Sequence, residues 1–198
     1  MKRPGDDGSD GGGGSGGGGA VTQLKDLKHD PTHTLDGVQR PKVTVDLGEV
    51  TDKNVEQIRT LLSVVFPVVY RPTFYKELHT KHATRTRMAY VAKDMLVGCV
   101  SADVDKTDAD ALYIMVLAIL APYRGYGIGR HLVRFVTDEL TARTEYAHVK
   151  RVRAHVQHGN DDAIAFYEHL GFTKAEFDAE YYDPDVQPRG AHVVVYNV

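Results

Sequence analysis

Residues 121–133, APYRGYGIGRHLV, carry three glycines on alternate positions, Gly125, Gly127 and Gly129, between an apolar run and an amphipathic one. A helix N-terminus presents free N–H groups and partial positive charge. Glycine lets those amides approach an anion that a Cβ would hold away. The stretch Arg124, Gly125, Tyr126, Gly127, Ile128, Gly129, Arg130 therefore reads as a diphosphate cradle opening a helix, with a plain strand-to-helix turn as the alternative. Spacing excludes two other phosphate motifs. The Walker pattern needs Gly-Lys-Ser/Thr where this chain has Gly129-Arg130-His131. The dinucleotide fingerprint G-x-G-x-x-G would need its third glycine at Arg130 or at Leu132.

Such a cradle requires a strand behind it and a helix ahead, and the periodicity supplies both. ALYIMVLAIL before it is apolar on both faces, as in a buried strand. After it, Ile128, Leu132, Phe135, Val136 and Leu140 mark one helix face. Upstream, KVTVDLGEV alternates as a strand, and Thr51 or Asp52 can cap a helix with Val55, Ile58, Leu61, Leu62 and Val65 on its face. The prolines of FPVVYRP place a loop over Phe66–Pro72, TFYKELHT is a short helix, and RMAYVAKDMLVGCVSADV is a hairpin turning near Lys93-Asp94. Downstream, VKRVRAHVQ is a strand, Asn160 caps the helix DDAIAFYEHL, Gly171 ends it, and FTKAEF and AHVVVYNV close the sheet. The order βααβββαβαββ predicts an α/β (α+β) fold, a mixed sheet flanked by helices.

At 198 residues and 42% hydrophobic content the chain holds one domain with a proper core, expected over 42–198. Residues 1–41 read as a flexible Gly-rich tail followed by a weakly ordered lead-in. A net charge of −3 gives no broad basic surface for nucleic acid or membrane, and no apolar run is long enough to span a bilayer. The single cysteine, Cys99, permits no internal disulfide, so a reducing compartment, cytosol or nucleus, is expected. His29 and His33 have helical metal spacing within the lead-in, but the ten histidines form no metal set, and no metal is expected.

The spacing Arg124-x-x-Gly127-x-Gly129 resembles the R/Q-x-x-G-x-G/A motif of the GNAT acetyltransferases, whose loop amides hold the pyrophosphate of acetyl-CoA. FPVVY, LYIMVLAILAPYRGYGIG, HVQHGNDDAIAFYEHLGF and EYYDP…AHVV, in that order over about residues 43–195, are similar to the N-alpha-acetyltransferases of the NatE (San, separation anxiety) type. This resemblance implies transfer of acetyl from acetyl-CoA to the α-amino group of chains beginning with Met and an apolar residue. It also implies docking on the auxiliary subunit of the ribosome-associated NatA complex, which fits the cytoplasmic, or also nuclear, location expected from the single cysteine. A lysine or small-amine acetyltransferase on the same fold, or a non-catalytic acyl-CoA-binding subunit of NatA, are the alternative readings.

The resemblance also implies residue roles. Tyr113 and His155 stand where the family carries a base pair that works through an ordered water; an ordinary histidine pKa near 6.5 suits this role, while tyrosine near 10 suits orienting the water. The main chain of Leu117 and Ile119 pairs with the pantetheine arm, and an N–H near Leu117 polarises the thioester. Asn160 contacts the cofactor, and Tyr167, seven residues on, lies near its sulfur. Phe66, Pro67, Val68, Tyr70, Met115, Tyr181 and Tyr182 form the acceptor site. Three departures stand out: Val69 at a usually polar position, Val116 for a threonine, and the acidic, proline-rich DPDVQP after the tyrosines.

Overall fold

A computed structural model of the chain describes residues 22–28 and 40–198. The Gly/Ser tail, His29 and His33 lie outside the described residues. The elements run β1 (Thr22–Leu27), β2 (Val43–Gly48), α1 (Val55–Val65), α2 (Pro72–His79), β3 (Thr86–Val91), β4 (Met95–Val104), β5 (Ala111–Ile119), α3 (Ile128–Arg134), β6 (Arg151–Gln157), α4 (Asp161–His169), β7 (Thr173–Asp178) and β8 (Ala191–Asn197). The eight strands make one sheet in the order β1-β2-β3-β4-β5-β6-β8-β7. Every neighbouring pair is antiparallel except β5 and β6.

The reading of residues 1–41 as lying outside the domain does not hold for β1. This segment pairs with β2, setting Leu24 opposite Val45 and Leu27 opposite Val43, and both leucines are half-buried against the sheet core. Two leucines in a polar six-residue run are too weak a period to announce a strand. Removing residues 1–28 is expected to lower the unfolding free energy by about 2 kcal/mol, the order of half-burying two leucines. Removing residues 1–20 leaves it unchanged; urea unfolding of the two truncations checks this. The first helix also begins later than expected. Thr51 opens a turn, its carbonyl accepting from Val55 N–H at 3.1 Å, and Asn54 occupies the cap position.

Helices cover both faces of the sheet. On one face, Ile128, Leu132 and Phe135 of the α3 region and Tyr167 of α4 pack on Leu112 and Ile114 of β5 and on Val152, Ala154 and Val156 of β6. On the other, Ile58 and Leu62 of α1 and Phe74 and Leu78 of α2 pack on Met88, Cys99, Val116 and Ala118. Side chains alternate along a strand, so His155 and Arg153 face the α1/α2 side. On β5 the alternation breaks at Met115. Ser101 pairs with Val116 and Ala102 with Ile114, which leaves Met115 as the extra residue of a bulge. Leu112 and Ile114 before it, and Leu117 and Ile119 after it, join the α3/α4 core. Tyr113 consequently projects to the same side of the sheet as His155.

Candidate active site

The site forms where two strands part. β5 and β6 pair only at Ala111–Arg151, Leu112–Val152 and Tyr113–Arg153. Beyond Tyr113, β5 continues along β4 as far as Ile119, and β6 continues along β8 as far as Gln157. The edge of β5 that faced β6 is therefore open. Leu120 N–H donates to the Val97 carbonyl at 2.9 Å, which sets the parity of this ladder. Given the pairing of Ala118 with Cys99 and Ile119 with Gly98, Ala118 and Val116 bond to β4, whereas Leu117 and Ile119 turn their main-chain groups to the open edge. An extended acyl-CoA arm can add there as a peptide adds to a sheet. The Ile119 carbonyl already accepts a hydrogen bond from Arg124 Nε at 3.2 Å.

The glycine turn follows directly. Gly125 and Gly127 have φ of 81° and 79°, the left-handed region that glycine enters without strain. Gly127 is the cap of α3, and a Cβ placed there meets no atom of the described residues within 4 Å. The bareness at Gly127 thus serves conformation and open space in front of the helix rather than packing. Gly129 differs: a Cβ would stand 3.1 Å from the Phe166 ring of α4. Helical bonding starts with His131 N–H to the Gly127 carbonyl at 3.2 Å, so the N–H groups of Ile128, Gly129 and Arg130 precede the ladder. Side chains here sort into two kinds. Tyr126 and Ile128 turn into the core, the Tyr126 hydroxyl donating to the Pro41 carbonyl at 2.9 Å, so only their main chain can meet a ligand. Arg124 and Arg130 are exposed. These features fit the phosphates of acetyl-CoA: bare backbone, a helix start and two arginines. Asn160 caps α4, its Oδ1 accepting from Ala163 N–H at 3.1 Å, and the cap leaves its NH₂ group unused. Tyr167, two turns on, is buried edge-on to Phe172 at 5.0 Å. Its hydroxyl makes no hydrogen bond to a described residue, and burial raises its pKa.

On the opposite side of the parting, Tyr113 and His155 meet. His155 Nδ1 lies 3.1 Å from the Tyr113 hydroxyl. Burial pushes the imidazole down to about 4, assisted by the charge of Arg153, so the ordinary value expected from the sequence is corrected and His155 is neutral at pH 7. Burial pushes the Tyr113 hydroxyl well above the usual phenol value, helped by Tyr181. Arg153 is held by Asp105 at 2.9 Å and Glu176 at 3.7 Å. The acceptor residues gather only in part. Tyr181 is buried on the dyad, and Tyr182 packs edge-on against it at 4.8 Å. Tyr70 stacks on Phe74 at 4.6 Å and stands edge-on to Phe66 at 6.4 Å. Its hydroxyl pKa is raised, chiefly by burial and then by Tyr182, Cys99 and Tyr181. Phe66 and Val68 are half-buried, Pro67 is exposed, and Met115 is buried at the bulge. Val69, at the loop tip, is 92% exposed. A cavity of about 450 Å³ lined by Tyr181, Tyr182, Asp178, Glu180, Asp183 and Arg189 opens next to the tyrosines. Among the described residues no group of three or more histidine, cysteine or acidic side chains is arranged to hold a metal ion, and no helix is long and apolar enough to cross a membrane.

Two site features were invisible in the sequence: the Tyr181–Tyr113 contact and the Arg153–Asp105 pair beneath His155. Adjacent tyrosines do not say which of them turns inward. The nearest signal for the ion pair was the acidic DKTDAD loop opposite the basic VKRVR strand.

Comparison with known proteins agrees with this geometry. Residues 55–172 match the acetyltransferase (GNAT) family. The chain is 36% identical over 154 residues to N-alpha-acetyltransferase 50 of Danio rerio, covering 77% of this chain and 88% of the relative. It is 34% identical over 156 residues to the probable N-acetyltransferase san of Drosophila melanogaster, covering 76% and 79%. Among solved structures, Arabidopsis thaliana Naa50 in complex with the bisubstrate analogue CoA-Ac-MVNAL superposes with a TM-score of 0.68 at 35% identity, covering 78% of this chain and 99% of that one. On the family match and these identities, the chain belongs to the GNAT acetyltransferases.

Proposed function

We propose that the protein acetylates the α-amino group of polypeptides beginning with Met and an apolar residue, with acetyl-CoA as donor and direct transfer between the two. One observation carries the reading: Tyr113 and His155 lie 3.1 Å apart where β5 and β6 separate, opposite the edge that leads to the glycine turn. Acetyl-CoA brings an activated acetyl group. The N–H groups at the start of α3 and the main chain of Leu117 and Ile119 hold its phosphates and arm, and the Leu117 N–H polarises the thioester carbonyl. Asn160 adds a further contact, and the Tyr167 hydroxyl supplies a proton for the departing thiolate. Phe66, Pro67, Val68 and Met115 surround the first apolar side chains, and Tyr70 and Tyr182 bond the acceptor main chain.

The low basicity of His155 constrains the proton's path. An α-ammonium has a pKa near 8 and His155 about 4, so direct deprotonation before attack is uphill by roughly four units, about 5 kcal/mol. The amine therefore enters neutral. Bond formation makes its nitrogen strongly acidic, and Tyr113 and His155 take the proton then, through a water. The expected pH profile follows. The neutral amine grows with pH, so kcat/KM rises tenfold per unit below pH ~8 and levels above it, with no break near 6.5. Initial rates from pH 5.5 to 9.5 check this; a plateau already reached at pH 7 contradicts it.

Substrate class is tested with purified protein, acetyl-CoA and two peptides. A Met-Leu peptide with a free N-terminus is expected to be acetylated, and its N-terminally blocked, lysine-bearing twin is not. The reverse result gives the lysine reading. Docking on the NatA auxiliary subunit, and through it on the ribosome, belongs to the same proposal and is tested by co-purification of the two proteins. A cytosolic or nuclear site of action is part of the same proposal and rests on the chain's single cysteine, Cys99, which is buried and has no partner cysteine for an internal disulfide.

A further inference from the structure

Tyr181 touches both members of the pair at once. Its hydroxyl lies 2.7 Å from the Tyr113 hydroxyl. Its ring lies flat on the His155 imidazole, centroids 4.0 Å apart and planes within 11°. With the 3.1 Å contact between Tyr113 and His155 Nδ1, the three side chains close a triangle of two hydrogen bonds and one stack. Bonding a peptide main chain requires neither the stack nor the short hydroxyl contact.

A phenol carries a single proton, so Tyr113 donates to one neighbour and accepts from the other. Either Tyr181 donates to Tyr113 and Tyr113 to His155 Nδ1, or the chain runs the opposite way. Whichever direction holds, the Tyr181 hydroxyl decides where the Tyr113 proton points and hence which tautomer His155 adopts. The stack restrains the one soft torsion of the imidazole, its ring rotation. Tyr181 is well placed to impose this, being itself fixed. It is 8% exposed, the Tyr182 ring braces it edge-on at 4.8 Å, and the next peptide unit is anchored by Tyr182 N–H to the Arg189 carbonyl at 2.9 Å.

We infer that Tyr181 is a positioning residue for the Tyr113–His155 pair, setting the imidazole plane with its ring and the direction of the Tyr113 proton with its hydroxyl. The kinetic consequence rests on the proposed function; the structural one does not. The charged groups facing His155 are Arg153 on β6, Asp105 in the loop after β4, and Glu176 and Asp178 on β7. Substitution at Tyr181 leaves all four in place.

The test uses the full chain with Tyr181→Phe and Tyr181→Leu. Nitrogen NMR of the His155 ring, without peptide, is expected to show a single tautomer titrating near pH 4 in the parent. Tyr181→Phe keeps the low midpoint, because the stack remains, but mixes the tautomers. Tyr181→Leu uncovers the ring and moves the midpoint up toward 6.5. With a Met-Leu peptide, kcat falls about tenfold in Tyr181→Phe and about 10²-fold in Tyr181→Leu, while the peptide KM stays within about threefold. Ring spectra unchanged in both variants overturn the inference. So does a raised KM with kcat intact, the mark of a peptide ligand alone. If the parent acetylates no such peptide, the functional reading fails, and the ring spectra still decide the role of Tyr181.

Discussion

His155→Ala is expected to lower kcat by about 10²-fold or more, the usual worth of a positioned base. The substitution removes the imidazole beside Tyr113 and leaves the glycine turn untouched, so the KM for acetyl-CoA should hold. The pH dependence should hold too. In the parent it reports the amine near pH 8, not an imidazole pushed down to about 4. This combination, a large fall in kcat with an unshifted profile, separates a base acting during bond formation from one that prepares the amine beforehand. Tyr113→Phe should reduce kcat as well, because it breaks the link between His155 Nδ1 and the Tyr181 hydroxyl. Steady-state kinetics alongside thermal melts checks both; an unchanged kcat for His155→Ala removes the residue from the mechanism.

Gly127→Val is the second large effect, and it falls on the other substrate. The residue has φ of 79° and caps α3. An L-residue in that region costs roughly 1–2 kcal/mol, and a β-branched one more. No atom of the described residues lies within 4 Å of the added Cβ, so the cost to the fold is this backbone strain rather than a clash. Instead, the new side chain enters the space where phosphate oxygens must reach the helix start. Losing one charge-assisted hydrogen bond at about 1.5–3 kcal/mol raises the KM for acetyl-CoA by about 10- to 100-fold. The peptide KM should be unaffected, because the acceptor residues lie across the sheet. Calorimetric titration with CoA reads the donor loss directly, and parent-like affinity in Gly127→Val contradicts a phosphate cradle at this turn.

Much of the site was legible because backbone requirements are written into composition. Three alternating glycines between an apolar strand and an amphipathic helix marked the turn, and Asn160 ahead of two aspartates marked the α4 cap. What escaped depended on registers and on three-dimensional burial. The Met115 bulge reverses the facing of β5, and YIMVL alternates no differently for containing it. That Tyr126 can serve the glycine turn only through its main chain shows once its hydroxyl is found on the Pro41 carbonyl. The basicity of His155 follows from how deeply the sheet and Tyr181 cover it, a quantity that no short stretch of sequence encodes. β1 shows the same limit at the fold level, since its strand character comes from the partner edge of β2.

The central claim is that thioester and amine meet where β5 leaves β6. It is tested most directly by a crystal structure of this chain with CoA joined through an acetyl group to a Met-Leu peptide. The account predicts diphosphate on the N–H groups of 127–130, the arm along Leu117 and Ile119, and the peptide nitrogen within one water of Tyr113 and His155. A peptide nitrogen bound away from that pair, or a diphosphate away from the glycine turn, contradicts it.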